Sequence, residues 1–132
     1  MAVCQSYRNL NRDEIFEVLD SAEYCRLGTA QEDQPYVVPM YYRWRFDENG
    51  RAWFRLFSEP CGRKMDEMEA NSLVALEMEL PVDGAIRTVV VQGRVYRFVP
   101  PCGPDLRSIE VYAAEISGRE ITSVLNEGSD LS

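Results

Sequence analysis

The chain has 132 residues, 45% hydrophobic and 27% charged, with a formal charge of −8. Such a composition excludes a disordered or fibrous protein and suits one globular domain spanning 1–132. The acidic balance excludes nucleic acid or an anionic membrane as the main partner, because both select a basic surface.

In chain order, residues 11–21 read as a helix capped by Asn11. Glu14 takes the capping-box position, and Ile15, Phe16, Val18 and Leu19 form an apolar stripe. Residues 23–30 read as a first strand, followed by a polar turn at 31–34. The longest extended segment is 35–46. Its even positions (Tyr36, Val38, Met40, Tyr42, Trp44, Phe46) are all apolar or aromatic, and its odd positions turn polar toward the end. That period-two pattern gives one face to a core. Pro39 has no amide donor, which implies a sheet edge or a bulge. The turn 47–50 ends in Asn49-Gly50, a hairpin signal, and 52–58 is the third strand. A short amphipathic helix is expected over 63–70, a fourth strand over 73–79 and a fifth over 86–99. Gly93 marks a bend or bulge inside the fifth. After a loop at 100–104, the apolar set Leu106, Ile109, Ala113 and Ile116 predicts a helix over 105–116. Residues 126–132 read as a loose polar tail. Strands joined by hairpins and bent at glycine, with short flanking helices, predict a small antiparallel barrel in a mainly β domain.

The chain has no histidine, which removes the usual neutral-pH acid/base and every histidine-dependent triad. Cys4, Cys25, Cys61 and Cys102 are widely spaced with no C-x-x-C pair, so no metal site is expected. No apolar run reaches spanning length and no leader precedes the first helix, so a cytoplasmic protein with reduced thiols is expected. Among fourteen basic residues the only lysine is Lys64, directly after Arg63. The pair falls where the strand 52–58 hands over, through Gly62, to the helix 63–70. A helix start offers unpaired N–H groups and the positive end of the dipole, and two cations there suit a phosphate.

The run Cys25–Thr29, then Gln34–Met40, Phe57-Ser58, Gly62-Arg63-Lys64, Leu73–Glu77 and Arg87–Gly93 resembles the FMN-binding split-barrel superfamily. That superfamily includes pyridoxamine 5′-phosphate oxidase and the 5-nitroimidazole-resistance flavoproteins, and the chain stands nearest the latter. The resemblance implies a split β-barrel that dimerises, with FMN in clefts between the subunits. It places Arg63 and Lys64 on the FMN phosphate and lays Val37, Val38, Pro39 and Met40 along the isoalloxazine ring. Phe57 and Ser58 fall near the ring and phosphate tail, and Thr88 reaches the flavin from a neighbouring strand. The function this implies is an FMN-dependent oxidoreductase acting on a small organic acceptor, with no catalytic side chain assigned. The alternative is a non-catalytic sensor or carrier that holds a flavin or another phosphate ligand on the same barrel. Arg43, Arg45 and Arg55 form a second set of cations across the Asn49-Gly50 turn. Either they line the cleft mouth and attract an anionic substrate or cofactor, or, as the preferred reading, they are cross-strand partners for acids or protect a sheet edge.

Overall fold

The computed structural model describes the backbone of residues 3–58, 72–103 and 106–125. Within those ranges it describes the side chains except at 3–5, 31, 58, 99–103, 106–107 and 123–125. The elements run β1 (Val3–Asn9), α1 (Arg12–Ser21), β2 (Cys25–Gln31), β3 (Gln34–Met40), β4 (Tyr42–Phe46), β5 (Ala52–Ser58), β6 (Leu73–Val82), β7 (Ala85–Gly103) and β8 (Leu106–Leu125). All strands pair antiparallel in one sheet of order β3-β2-β6-β7-β8-β5-β4, and β1 lies on β8. The two end strands, β3 and β4, are separated in sequence by Tyr41 alone. The sheet therefore curls until its ends meet at that residue, yet among the described residues no ladder joins them. This is the small antiparallel barrel that the strand pattern predicts, in the mainly β split form that the resemblance implies.

Alternation sets the inner face. Leu27, Phe54, Leu56, Leu76, Met78, Val89, Val91, Ile109 and Val111 point inward, each no more than 1% exposed. Helix α1 adds Val18 and Leu19 to this core. It starts at the expected capping box: the Asn11 side chain accepts from the Glu14 N–H at 2.9 Å, and the Glu14 side chain accepts from the Asn11 N–H at 2.9 Å. Two bonds fasten β4 to the other end of the helix. The Tyr42 hydroxyl donates to the Leu19 carbonyl at 2.6 Å, and the Trp44 indole donates to Asp20 at 2.9 Å. The β4–β5 turn closes where Asn49-Gly50 predicts it. Gly50 has φ +79°, and the Asp47 carboxylate accepts from the N–H groups of Asn49 and Arg51.

Several expectations need correction. Residues 106–116 form part of β8, not a helix. The register shows why: Gln92 pairs with Glu115 and Gly93 with Ala113, so Ala114 is an extra residue in β8. Before it Ile109, Val111 and Ala113 lie against the core, and after it Ile116 does. The slip of parity turns a strand's alternation into gaps of four and three (109, 113, 116), the spacing of a helical stripe. β7 continues through the expected loop to Gly103, which pairs with Leu106. β1 was not anticipated; it is held by pairing along 119–125 of β8, far away in sequence. The extended segment 35–46 is two strands that break at Tyr41. The expected helix 63–70 and the tail 126–132 lie outside the described residues. Among the described residues no helix is long and apolar enough to cross a membrane, and no cluster of metal-ligating side chains is present.

Candidate functional site

Where the split closes, β3 runs into Tyr41 and the end of β5 comes up beside it. The Phe57 N–H donates to the Tyr41 carbonyl at 3.1 Å. This contact brings the segment 37–40 and Phe57 to one end of the barrel. β3 pairs only with β2, so its other side carries backbone groups without a strand partner among the described residues. Pro39 sits on this edge, where its missing donor costs least.

The four residues of β3 divide by face. Val37 (61% exposed) and Pro39 point outward, whereas Met40 is buried and Val38 packs against the core. Val38 and Met40 can therefore offer a ligand backbone only. Phe57 is half-buried on the outer face of β5. The backbone of Ser58 pairs with Arg107 on β8; its side chain, and Arg63 and Lys64 with it, lie outside the described residues. Thr88 is not brought to this place within one chain. It is half-buried on β7, paired with Glu79 of β6 and Arg119 of β8, and two strands, β6 and β2, stand between it and β3.

One cluster beside Val37 was not anticipated. Arg26 bridges Glu77 at 2.7 Å and Glu79 at 3.2 Å through the same nitrogen. With Gly28, Val37, Ala75 and Val90 they line a shallow hollow of about 370 Å³. Burial pushes the Glu77 carboxyl up, and the neighbouring Glu79 adds to the rise; the Arg26 guanidinium opposes both. Arg26 itself is held charged, chiefly by its hydrogen bond to Glu77. Gly28, Ala30, Ala75, Gly93 and Ala114 continue this face into a second hollow of about 490 Å³. Gly28, Ala30, Ala75 and Ala114 lie on the outer face, and these small residues are its signal in the sequence, legible once strand parity is known. The face is largely apolar, with Arg26, Glu77 and Glu79 at one border and Arg94 lining the second hollow.

An uncharacterized protein, RA0666, of Rhizobium meliloti (strain 1021) is 34% identical over 94 residues, covering 70% of this chain and 58% of the relative. The chain thus spans less than two thirds of that relative's length. Among solved structures, a FAD-binding protein of Mesorhizobium loti superposes with a TM-score of 0.75 at 27% identity, over 90% of this chain and 99% of the other. A candidate 5-nitroimidazole antibiotic resistance protein of Bacteroides thetaiotaomicron does so with a TM-score of 0.72 at 15% identity, over 92% and 93% of the two chains, and shares the fold. Residues 11–101, from the cap of α1 to the far end of β7, match the pyridoxamine 5′-phosphate oxidase family, and the chain belongs to that family.

Proposed function

We propose that this protein binds a flavin nucleotide, FMN in the first instance, at the end of the barrel where β3 meets β5, and passes electrons to a small organic acceptor. The observation that carries the reading is the junction of Tyr41 and Phe57 beside the free edge of β3. A flavin ring has two apolar faces and a polar rim. Exposed Val37 and Pro39 offer a flat apolar surface to a face, and backbone groups on the outer edge of β3 would meet the rim, so the residues fit the group. Arg63 and Lys64 follow Ser58 within six residues and would neutralise the phosphate. When bound, the flavin supplies hydride or single-electron transfer, while the chain binds it, orients it and excludes water. The name of the Mesorhizobium relative supports a flavin ligand.

Thr88 joins the other residues only if a second copy supplies it, and the outer face of β2 and β6, small at Gly28, Ala30 and Ala75, offers that copy a seat. We therefore read the working form as a homodimer with its clefts between subunits.

A second reading, a flavin carrier without turnover, is favoured by the chemistry around the junction. Val37, Pro39 and Phe57 are apolar, and Tyr41 is the one titratable side chain among the described residues 37–41 and 57. Absorption of the purified protein, with the mass of the released chromophore, tests the binding. A flavin spectrum lost on replacing Arg63 and Lys64 together by alanine is the expected result. A colourless protein that takes up neither FMN nor FAD would overturn it. Oxidation of a nicotinamide donor with acceptor, at a rate above free FMN, separates enzyme from carrier.

A further inference from the structure

The outer face of β4, β5 and β8 concentrates arginine in an otherwise acidic chain. Across the β4–β5 ladder Arg43 stands directly opposite Arg55, and Arg45 opposite Trp53. Together with Glu110 they line a hollow of about 270 Å³. Glu110 is engaged already: Arg55 bonds one carboxylate oxygen at 2.8 Å and Arg97 the other at 3.1 Å. Arg97 first, and Arg55 with it, hold this carboxyl below its usual range against the effect of burial, so it stays charged and paired. Arg45 lies over the Trp53 ring, 5.4 Å from its centroid. Arg43 has no carboxylate within 4.0 Å among the described residues.

Like charges directly opposite one another destabilise an antiparallel pair. The chain has 22 acidic residues, yet position 43, across from Arg55, holds another cation. An anion seated between the guanidinium groups removes that repulsion, and their planar forks match phosphate oxygens. Trp53 adds a flat aromatic wall. The hollow is smaller than most small-molecule sites, about 300–1,000 Å³, so it suits one phosphate and part of an adjoining ring.

We propose that this hollow is a nucleotide-phosphate site, in addition to the phosphate role proposed for Arg63 and Lys64. Arg55 lies two residues before Phe57 on the same outer face, roughly 7 Å along the strand. A phosphate held here therefore belongs to a ligand that can reach the Tyr41–Phe57 junction. Two molecules carry one: a dinucleotide flavin through its adenylate arm, and a nicotinamide dinucleotide donor. The anion site does not rest on the flavin reading; only the choice between these sources does.

Calorimetric titration of ADP into the full chain tests it, with Arg43→Glu and Arg43→Lys variants and FMN titrated in parallel. ADP is expected to bind the parent chain, to lose tenfold or more with Arg43→Glu and to keep most of its affinity with Arg43→Lys, while FMN is unaffected. Without ligand, the thermal midpoint of Arg43→Glu should hold or rise, because a carboxylate there pairs with Arg55; a merely structural arginine would lower it. A preference for FAD over FMN that Arg43→Glu abolishes identifies the adenylate arm. Equal flavin affinities with weakened NADH binding identify the donor. No ADP binding, equal binding to all three chains, or a fall in midpoint that accounts for the loss would overturn the proposal. Absence of flavin binding with the ADP pattern intact would remove the flavin reading and leave this site standing.

Discussion

A methyl group at position 93 would meet the Tyr112 carbonyl oxygen and a Val111 methyl, both at 2.8 Å, closer than real Cβ atoms approach. The carbonyl belongs to the backbone of β8 and cannot swing aside, so Gly93 is where β7 and β8 pass at the bulge. Gly93→Ala is expected to cost about 1–3 kcal/mol through overpacking, read as a lower urea midpoint. An unchanged midpoint would show that β8 moves aside there without penalty. At this same scale the candidate site was legible only in part. Pro39 betrays its edge strand because it lacks a donor, and Val37 is exposed because strand parity turns it outward. Nothing in local sequence could show that Val38 and Met40 turn their side chains into the core while lending only backbone. Nor could Thr88 be seen to lie across two strands from β3, since strand order is set by long-range pairing.

Elements stabilised by local chemistry were the readable ones. α1 carries its own start signal in Asn11 and Glu14, and the β4–β5 turn carries Asn49-Gly50 with Asp47 as its staple. β1 and β8 have no such signal. β1 exists through its pairing with β8, and β8 is a strand because it is held between β7 on one side and β5 and β1 on the other. Its bulge at Ala114 also gives its apolar residues a helical spacing, so tertiary pairing overrides what the local pattern favours. The contrast can be measured on α1. Asn11→Ala removes one half of the capping box and leaves the Glu14 N–H without its acceptor, at an expected cost of about 1 kcal/mol. Asn11→Asp should restore most of it, because the carboxylate accepts the same bond and complements the helix dipole. A thermal midpoint that does not move in Asn11→Ala would mean that packing of Val18 and Leu19 alone holds the helix.

Across the whole molecule, one ionic network ties the two ends of the chain to its middle. Arg8 of β1 bonds Glu14 of α1 at 2.8 Å and Glu120 of β8 at 3.2 Å. Arg87 of β7 reaches the same two acids at 3.2 and 3.1 Å. The hydrogen bond from Arg8 holds the Glu14 carboxyl down to about 2, helped by the Asn11 N–H, and the same arginine followed by Arg87 lowers Glu120. Glu110 and Asp47 are lowered as well, by Arg97 and by the Trp53 indole respectively. A carboxyl lowered in the folded state stabilises the fold above its unfolded value, near 4.3 for glutamate. That contribution disappears as pH falls through the folded value. Glu77, raised by burial, works the other way: protonation favours its folded form, so acid relieves a cost there. Four lowered groups against one raised predict a net loss of stability between about pH 4.5 and pH 2. Thermal midpoints followed by circular dichroism across that range should fall, and should fall less steeply in Glu14→Gln, which retains a side-chain acceptor for the Asn11 N–H but cannot titrate. If Glu14→Gln and the parent chain decline in parallel, the network does not govern acid unfolding, and the loss must come from acids elsewhere on the barrel.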